Sequence, residues 1–126
     1  MAKILIVSDD PQIVKLIALN LDKRNHQEMS CNTSLASISS KADLNYDLVL
    51  LDADLSEEQH ARTAKKLEVM TAAKHIPMVL ISPVKLTKKE LVGLGIVDQA
   101  TKPFAVEELL QKINHALVGP IGLGTT

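Results

Sequence analysis

Three short apolar runs punctuate the chain: ILIV at 4–7, LVLL at 48–51 and MVLI at 78–81. Each is continuous rather than alternating, rich in branched aliphatics, and closed by a polar residue. A strand exposed on one face alternates apolar and polar positions. A strand covered on both faces reads as an unbroken hydrophobic run. The three runs therefore predict central strands, with Ile6, Val7, Val49, Leu50, Val79 and Leu80 in the core. Two less apolar segments, 26–31 and 96–101, predict further strands.

Between these runs the spacing becomes helical. After Asp10-Pro11, residues Ile13, Leu16, Ile17 and Leu21 fall on one face. Asp10 suits the N-cap, and Pro11 the first helical position. The sequence SEEQ at 56–59 has the form of a capping box, with Ser56 as cap and Gln59 reaching back. It predicts a helix running to about Lys74. Segments 33–39 and 87–95 predict shorter helices. Val106, Leu109, Leu110, Ile113 and Leu117 form one apolar stripe in a last helix. The segment GPIGLGTT at 119–126 breaks the pattern and is expected to be a flexible tail or linker, leaving one domain over 1–118.

Strand and helix alternate five times. This order predicts an α/β protein: a five-stranded parallel sheet, helices on both faces, right-handed crossovers. In such sheets the functional crevice lies beyond the carboxyl ends of the strands. The residues expected there are Ser8, Asp9 and Asp10; Asp52 and Asp54; Ser82; and Thr101 with Lys102. Four carboxylates on one edge repel one another when ionised, and a divalent cation relieves that repulsion. Magnesium takes a few carboxylate oxygens and keeps several waters. A magnesium site beside an ammonium and a hydroxyl suits a phosphoryl group, with a carboxylate as in-line nucleophile.

Composition narrows the partners. With 126 residues the chain suffices for one compact domain. A formal net charge of -1 gives no bulk electrostatic reason for nucleic acid or an anionic membrane as partner. One cysteine, Cys31, excludes an internal disulfide and suits a reducing compartment. The first apolar run is too short for a signal peptide or a membrane span. The expected location is the cytoplasm.

The segments KILIVSDDP, DLVLLDADL, IPMVLIS and TKPF resemble, in order and spacing, the motifs of response-regulator receiver domains of two-component signalling, the chemotaxis-regulator type. The resemblance covers residues 3–118. It implies a flavodoxin-like doubly wound sheet with strand order 2-1-3-4-5, and a signalling protein rather than an enzyme. By position it implies Asp52 as phospho-acceptor, Asp9 as direct magnesium ligand and the backbone carbonyl of Asp54 as a further ligand. Asp10 reads more as a helix cap than as a ligand. Ser82 is implied to sense the phosphoryl group and Lys102 to pair with its oxygens, with a cis bond before Pro103. The implied partners are a histidine kinase or phosphotransfer protein, and a downstream protein effector or fused output domain.

The chain departs from the family pattern at four places. Ser8 stands where an acid is usual, which predicts weaker magnesium binding. The loop after Asp52 lacks the usual proline and glycine. Pro83 follows the sensing hydroxyl where a small residue is usual. Gln99 occupies the position of the aromatic switch residue and is expected to stay near solvent. These departures support a second reading, a degenerate receiver that binds a partner without phosphorylation. A third class is a haloacid-dehalogenase-like phosphatase, with Asp52 as nucleophile and Asp54 as general acid. His26, His60, His75 and His115 show no ligand spacing and are read as solvated, and Cys31 as a small core residue.

Overall fold

The computed structural model describes residues 1–41 and 45–125, with side chains to residue 118. Strands and helices alternate along it: β1 (Lys3–Val7), α1 (Pro11–Lys23), β2 (Gln27–Cys31), α2 (Leu35–Lys41), β3 (Leu48–Asp52), α3 (Glu58–Lys74), β4 (Met78–Ser82), α4 (Lys88–Gly93), β5 (Ile96–Thr101) and α5 (Val106–Thr125). The five strands form one parallel sheet in the order β2-β1-β3-β4-β5. This is the doubly wound topology that the alternation and the resemblance imply.

The central strands owe their continuous apolar character to cover on both faces. All five residues of β3 and of β4 are buried. Successive side chains point to opposite faces. Ile4, Ile6, Leu48, Leu50, Val79 and Ile81 therefore meet Ile17 and Leu21 of α1 and Leu109, Leu110 and Ile113 of α5. Leu5, Val7, Val49, Leu51, Met78 and Leu80 meet Ile38 of α2 and Ala64 and Leu67 of α3. The six residues expected in the core are fully buried. Leu16 is an exception to the α1 stripe: it is 39% exposed, because it sits about 100° around the helix from Ile17. Cys31 is half-buried on β2 and packs against the second cluster.

Helix starts follow local hydrogen bonding. Asp10 caps α1, its carboxylate accepting from the Gln12 N–H at 2.9 Å, with Pro11 first in the helix. Thr87 and Glu90 form a reciprocal capping box at α4. The box expected at 56–59 does not form. Ser56 donates its N–H (3.0 Å) and its hydroxyl (2.7 Å) to Asp54 Oδ1 instead, so α3 begins one residue later with Glu57 at the N-cap position and no side-chain cap. A nearer carboxylate out-competed the helix for the serine. At the other end, α5 continues through 119–125, so the backbone of the expected tail is helical up to Thr125; Thr126 lies outside the described residues. His26 is also not free in solvent: it is half-buried, and its Nδ1 accepts from the Ala2 N–H at 2.9 Å. Burial, with the N-terminal charge and Arg24 nearby, holds its pKa below the ordinary histidine value.

Candidate functional site

The parallel register brings the ends of β1, β3, β4 and β5 to one edge. Val7 pairs with Leu51, Asp52 with Ile81, and Ser82 with Thr101. Ser8, Asp52, Ser82 and Lys102 therefore end their strands at similar height. Backbone bonds fix the exits: Ala53 N–H to Ile81 O at 3.0 Å and Lys102 N–H to Ser82 O at 2.9 Å. The bond between Lys102 and Pro103 is cis.

Asp52 is the centre of this edge and is only 6% exposed. Its two oxygens have different partners. Oδ2 accepts the Ser8 hydroxyl at 2.7 Å. Ser8 in turn accepts the Asp10 N–H at 3.0 Å, which aligns its own proton toward Asp52. Oδ1 lies 2.7 Å from Lys102 Nζ. That contact is a charge pair without hydrogen-bond alignment, so the buried Oδ1 keeps an open acceptor position. A buried carboxylate needs such a partner, because desolvation of an isolated charge is costly. The abrupt change from LVLL to Asp52 is thus answered by a serine and a lysine.

Asp9 points to a different neighbour. Its Oδ1 accepts the Thr33 N–H at 2.8 Å and its Oδ2 the Thr33 hydroxyl at 2.6 Å. Thr33 is itself buried and held by Thr63 of α3, whose hydroxyl donates to the Thr33 carbonyl. Partial desolvation works to raise the Asp9 pKa, but the Thr33 bonds and nearby His60 outweigh it and leave the pKa below the ordinary carboxylate value. Asp10 serves as the α1 cap. The Asp54 carboxylate is turned into the loop toward Ser56, whose hydroxyl and N–H lower its pKa. The Asp54 side chain is thus engaged within its own loop, and its backbone carbonyl accepts the Glu57 N–H at 3.0 Å.

His60 is a site residue that spacing did not reveal. Its side chain is 16% exposed, not solvated. The Asp54 N–H donates to its Nδ1 at 3.1 Å, so the ring proton belongs on Nε2, which faces Asp9 Oδ2 at 3.3 Å. The ring therefore ties the loop after β3 to the loop after β1. The one sequence signal was an imidazole in the first turn of the helix that follows the acidic loop. His75 and His115 are exposed, as expected.

Gln99 also differs from expectation. It is buried, not near solvent: Oε1 accepts the Leu86 N–H at 2.9 Å and Nε2 donates to the Val84 carbonyl at 2.7 Å. Its amide is satisfied by loop backbone, which removes the penalty that burial would otherwise carry. Ser82 is buried beside it, its hydroxyl accepting from the Val84 N–H at 3.2 Å. Pro83 is exposed.

The family model described as the response regulator receiver domain matches residues 4–114. The chain belongs to this family. It is thus a receiver domain of two-component response regulators. It is 27% identical over 119 residues to the DNA-binding dual master transcriptional regulator RpaA of Synechocystis, covering 93% of this chain and 49% of RpaA. It is 31% identical over 121 residues to the nisin biosynthesis regulatory protein NisR of Lactococcus lactis, covering 88% of this chain and 48% of NisR. The receiver thus spans about half the length of these two relatives. The receiver domain of the sensor histidine kinase PA1611 from Pseudomonas aeruginosa, solved with magnesium coordinated in its active-site cleft, superposes with a TM-score of 0.75 at 18% identity, over 94% of this chain and 98% of that one. That likeness is one of fold. Among the described residues no helix is long and apolar enough to cross a membrane.

Asp52 and Asp9 offer oxygens of the kind a hard cation takes. Asp52 Oδ1 is a buried carboxylate oxygen with an open acceptor position. Asp9 is exposed, and its Oδ1 accepts the Thr33 N–H. The Asp54 carbonyl accepts the Glu57 N–H at 3.0 Å, and among the described residues no three His, Cys, Asp or Glu side chains are grouped to hold a metal ion. Ser8 contributes a neutral hydroxyl to this edge.

Proposed function

We propose that this receiver accepts a phosphoryl group on Asp52. The observation that carries the reading is the buried Asp52 at the end of β3, with one carboxylate oxygen facing Lys102 Nζ at 2.7 Å. In the transfer, an Asp52 oxygen forms a bond to phosphorus while the phosphorus–nitrogen bond of a phosphohistidine, or the corresponding bond of a small donor, breaks in line. The displaced imidazole leaves with the electron pair. Lys102 stabilises the negative charge on the equatorial oxygens, and the Ser82 hydroxyl is the donor available from β4. Asp9, Asp52 and the Asp54 carbonyl would hold magnesium, which supplies charge neutralisation for the phosphoryl oxygens. Asp10 stays a cap.

The partners of this reading are a histidine kinase or phosphotransfer protein upstream, and a protein effector or fused output domain downstream. Residues 1–118 form the receiver unit, and 119–126 link it onward. The proposed setting is cytoplasmic, with no direct contact of this domain with nucleic acid or membrane, and no turnover of its own beyond the phosphoryl step. A second reading, a module that binds its partner without phosphorylation, is favoured by one observation. The Ser8 hydroxyl occupies Asp52 Oδ2 at 2.7 Å and closes that side of the carboxylate.

Intact mass after incubation with magnesium and acetyl phosphate separates the two. The first reading expects an adduct of one phosphate that is absent in Asp52→Asn. An unmodified wild-type mass in excess donor would count against the first and favour the second.

A further inference from the structure

The segment 83–86 leaves β4 and leads to α4, and among the described residues its backbone groups have no sheet or helix partner. Gln99 meets two of them from the neighbouring strand. Its Oε1 takes the Leu86 N–H at 2.9 Å, and its Nε2 gives to the Val84 carbonyl at 2.7 Å. One acceptor and one donor, two residues apart, are satisfied as an adjoining strand would satisfy them. Immediately after Leu86 comes Thr87, the cap of α4. Holding Leu86 therefore also holds the start of that helix.

Ser82 grips the same segment from the other side. Its hydroxyl lies 3.2 Å from both the N–H and the carbonyl of Val84. These contacts are long and made by a neutral group at an exposed residue, Val84 being 52% exposed. When the hydroxyl turns away, water can serve the Val84 N–H, and the carbonyl keeps its shorter bond to Gln99. Loss of Gln99 is different: it frees two backbone groups at once, one of them on half-buried Leu86.

We propose that Gln99 is a positioning residue that fixes the loop 83–86 and the start of α4 independently of Ser82. Its consequence for signalling rests on the reading of Asp52 given above: a phosphoryl group that drew the Ser82 hydroxyl toward itself would leave 84–97 in place. The site and the α4–β5 surface would then be uncoupled.

Residue-resolved amide exchange tests the clamp in the free protein. Gln99→Met keeps the side chain's length and removes both polar groups. It should speed exchange of the Leu86 amide by at least roughly fivefold, the loss of one net hydrogen bond, while the Leu80 amide in the core stays at its wild-type rate. Ser82→Ala, which deletes the competing hydroxyl, should leave Leu86 exchange and the amide shifts of 86–94 unchanged. An unmoved Leu86 in Gln99→Met, or a Leu86 released by Ser82→Ala alone, overturns the proposal. If Gln99→Met does not fold, Ser82→Ala decides by itself. Adding beryllofluoride with magnesium should then shift amides around Asp52, Ser82 and Lys102 only. Changes spread through 86–97 would overturn the uncoupling. Failure of the mimic to bind would undo the reading of Asp52 and leave the clamp to the exchange result.

Discussion

Ser8 donates its hydroxyl proton to Asp52 Oδ2 at 2.7 Å, across the pair of strands at the centre of the sheet. The contact stabilises a buried carboxylate without adding charge. It also sets how much negative potential the edge offers to a cation.

Two substitutions at Ser8 should separate these roles. Ser8→Ala leaves a buried acceptor unpaired and should cost about 1–3 kcal/mol in chemical denaturation. Ser8→Asp adds a second charge beside Asp52. It should lower thermal stability in metal-free buffer and tighten magnesium binding in a calorimetric titration. Magnesium affinity equal to or below wild type in Ser8→Asp would mean the third acid is not what limits the metal.

His60 should act as a tie between two loops. Its ring spans Asp54 and Asp9, so His60→Ala removes the acceptor of the Asp54 N–H and a donor to Asp9. The Asp54 amide should exchange with solvent several-fold faster, by the worth of about one hydrogen bond. Exchange at Val79, on the buried β4, should not change. A protected Asp54 amide in the variant would remove His60 from the site.

His26 makes stability depend on pH. The folded state holds it neutral, with Nδ1 accepting from the Ala2 N–H, and its pKa lies below the ordinary histidine value. The unfolded chain therefore binds a proton first as pH falls. The His26 contribution is fully present above the unfolded value and is lost as pH drops through the folded one. An NMR titration should place the His26 midpoint below the ordinary histidine value. The acid-side loss of stability just below pH 6.5 should shrink in His26→Gln. A His26 midpoint at or above the ordinary histidine value would contradict the assignment.

The fold was legible because its strongest signals are non-specific. Unbroken runs such as LVLL need only a covered strand, and any packing that buries both faces satisfies them. The edge residues were legible for a related reason: strand ends in a parallel sheet converge wherever the chain turns. What the sequence hid were choices between competing partners. Ser56 could cap α3 or satisfy Asp54, and proximity favoured Asp54. Gln99 looked too polar to bury, because the loop backbone that satisfies its amide comes from residues more than ten positions away. His60 carried no ligand spacing, since its partners are one backbone amide and a carboxylate from another loop.

The central claim is that Asp52, among several acids at this edge, carries the phosphoryl group. Borohydride reduces an acyl phosphate and converts the modified aspartate to homoserine, which peptide sequencing by mass spectrometry locates. After incubation with magnesium and acetyl phosphate, homoserine should stand at position 52 and nowhere else. Homoserine at 9, 10 or 54, or at no position, would contradict the account.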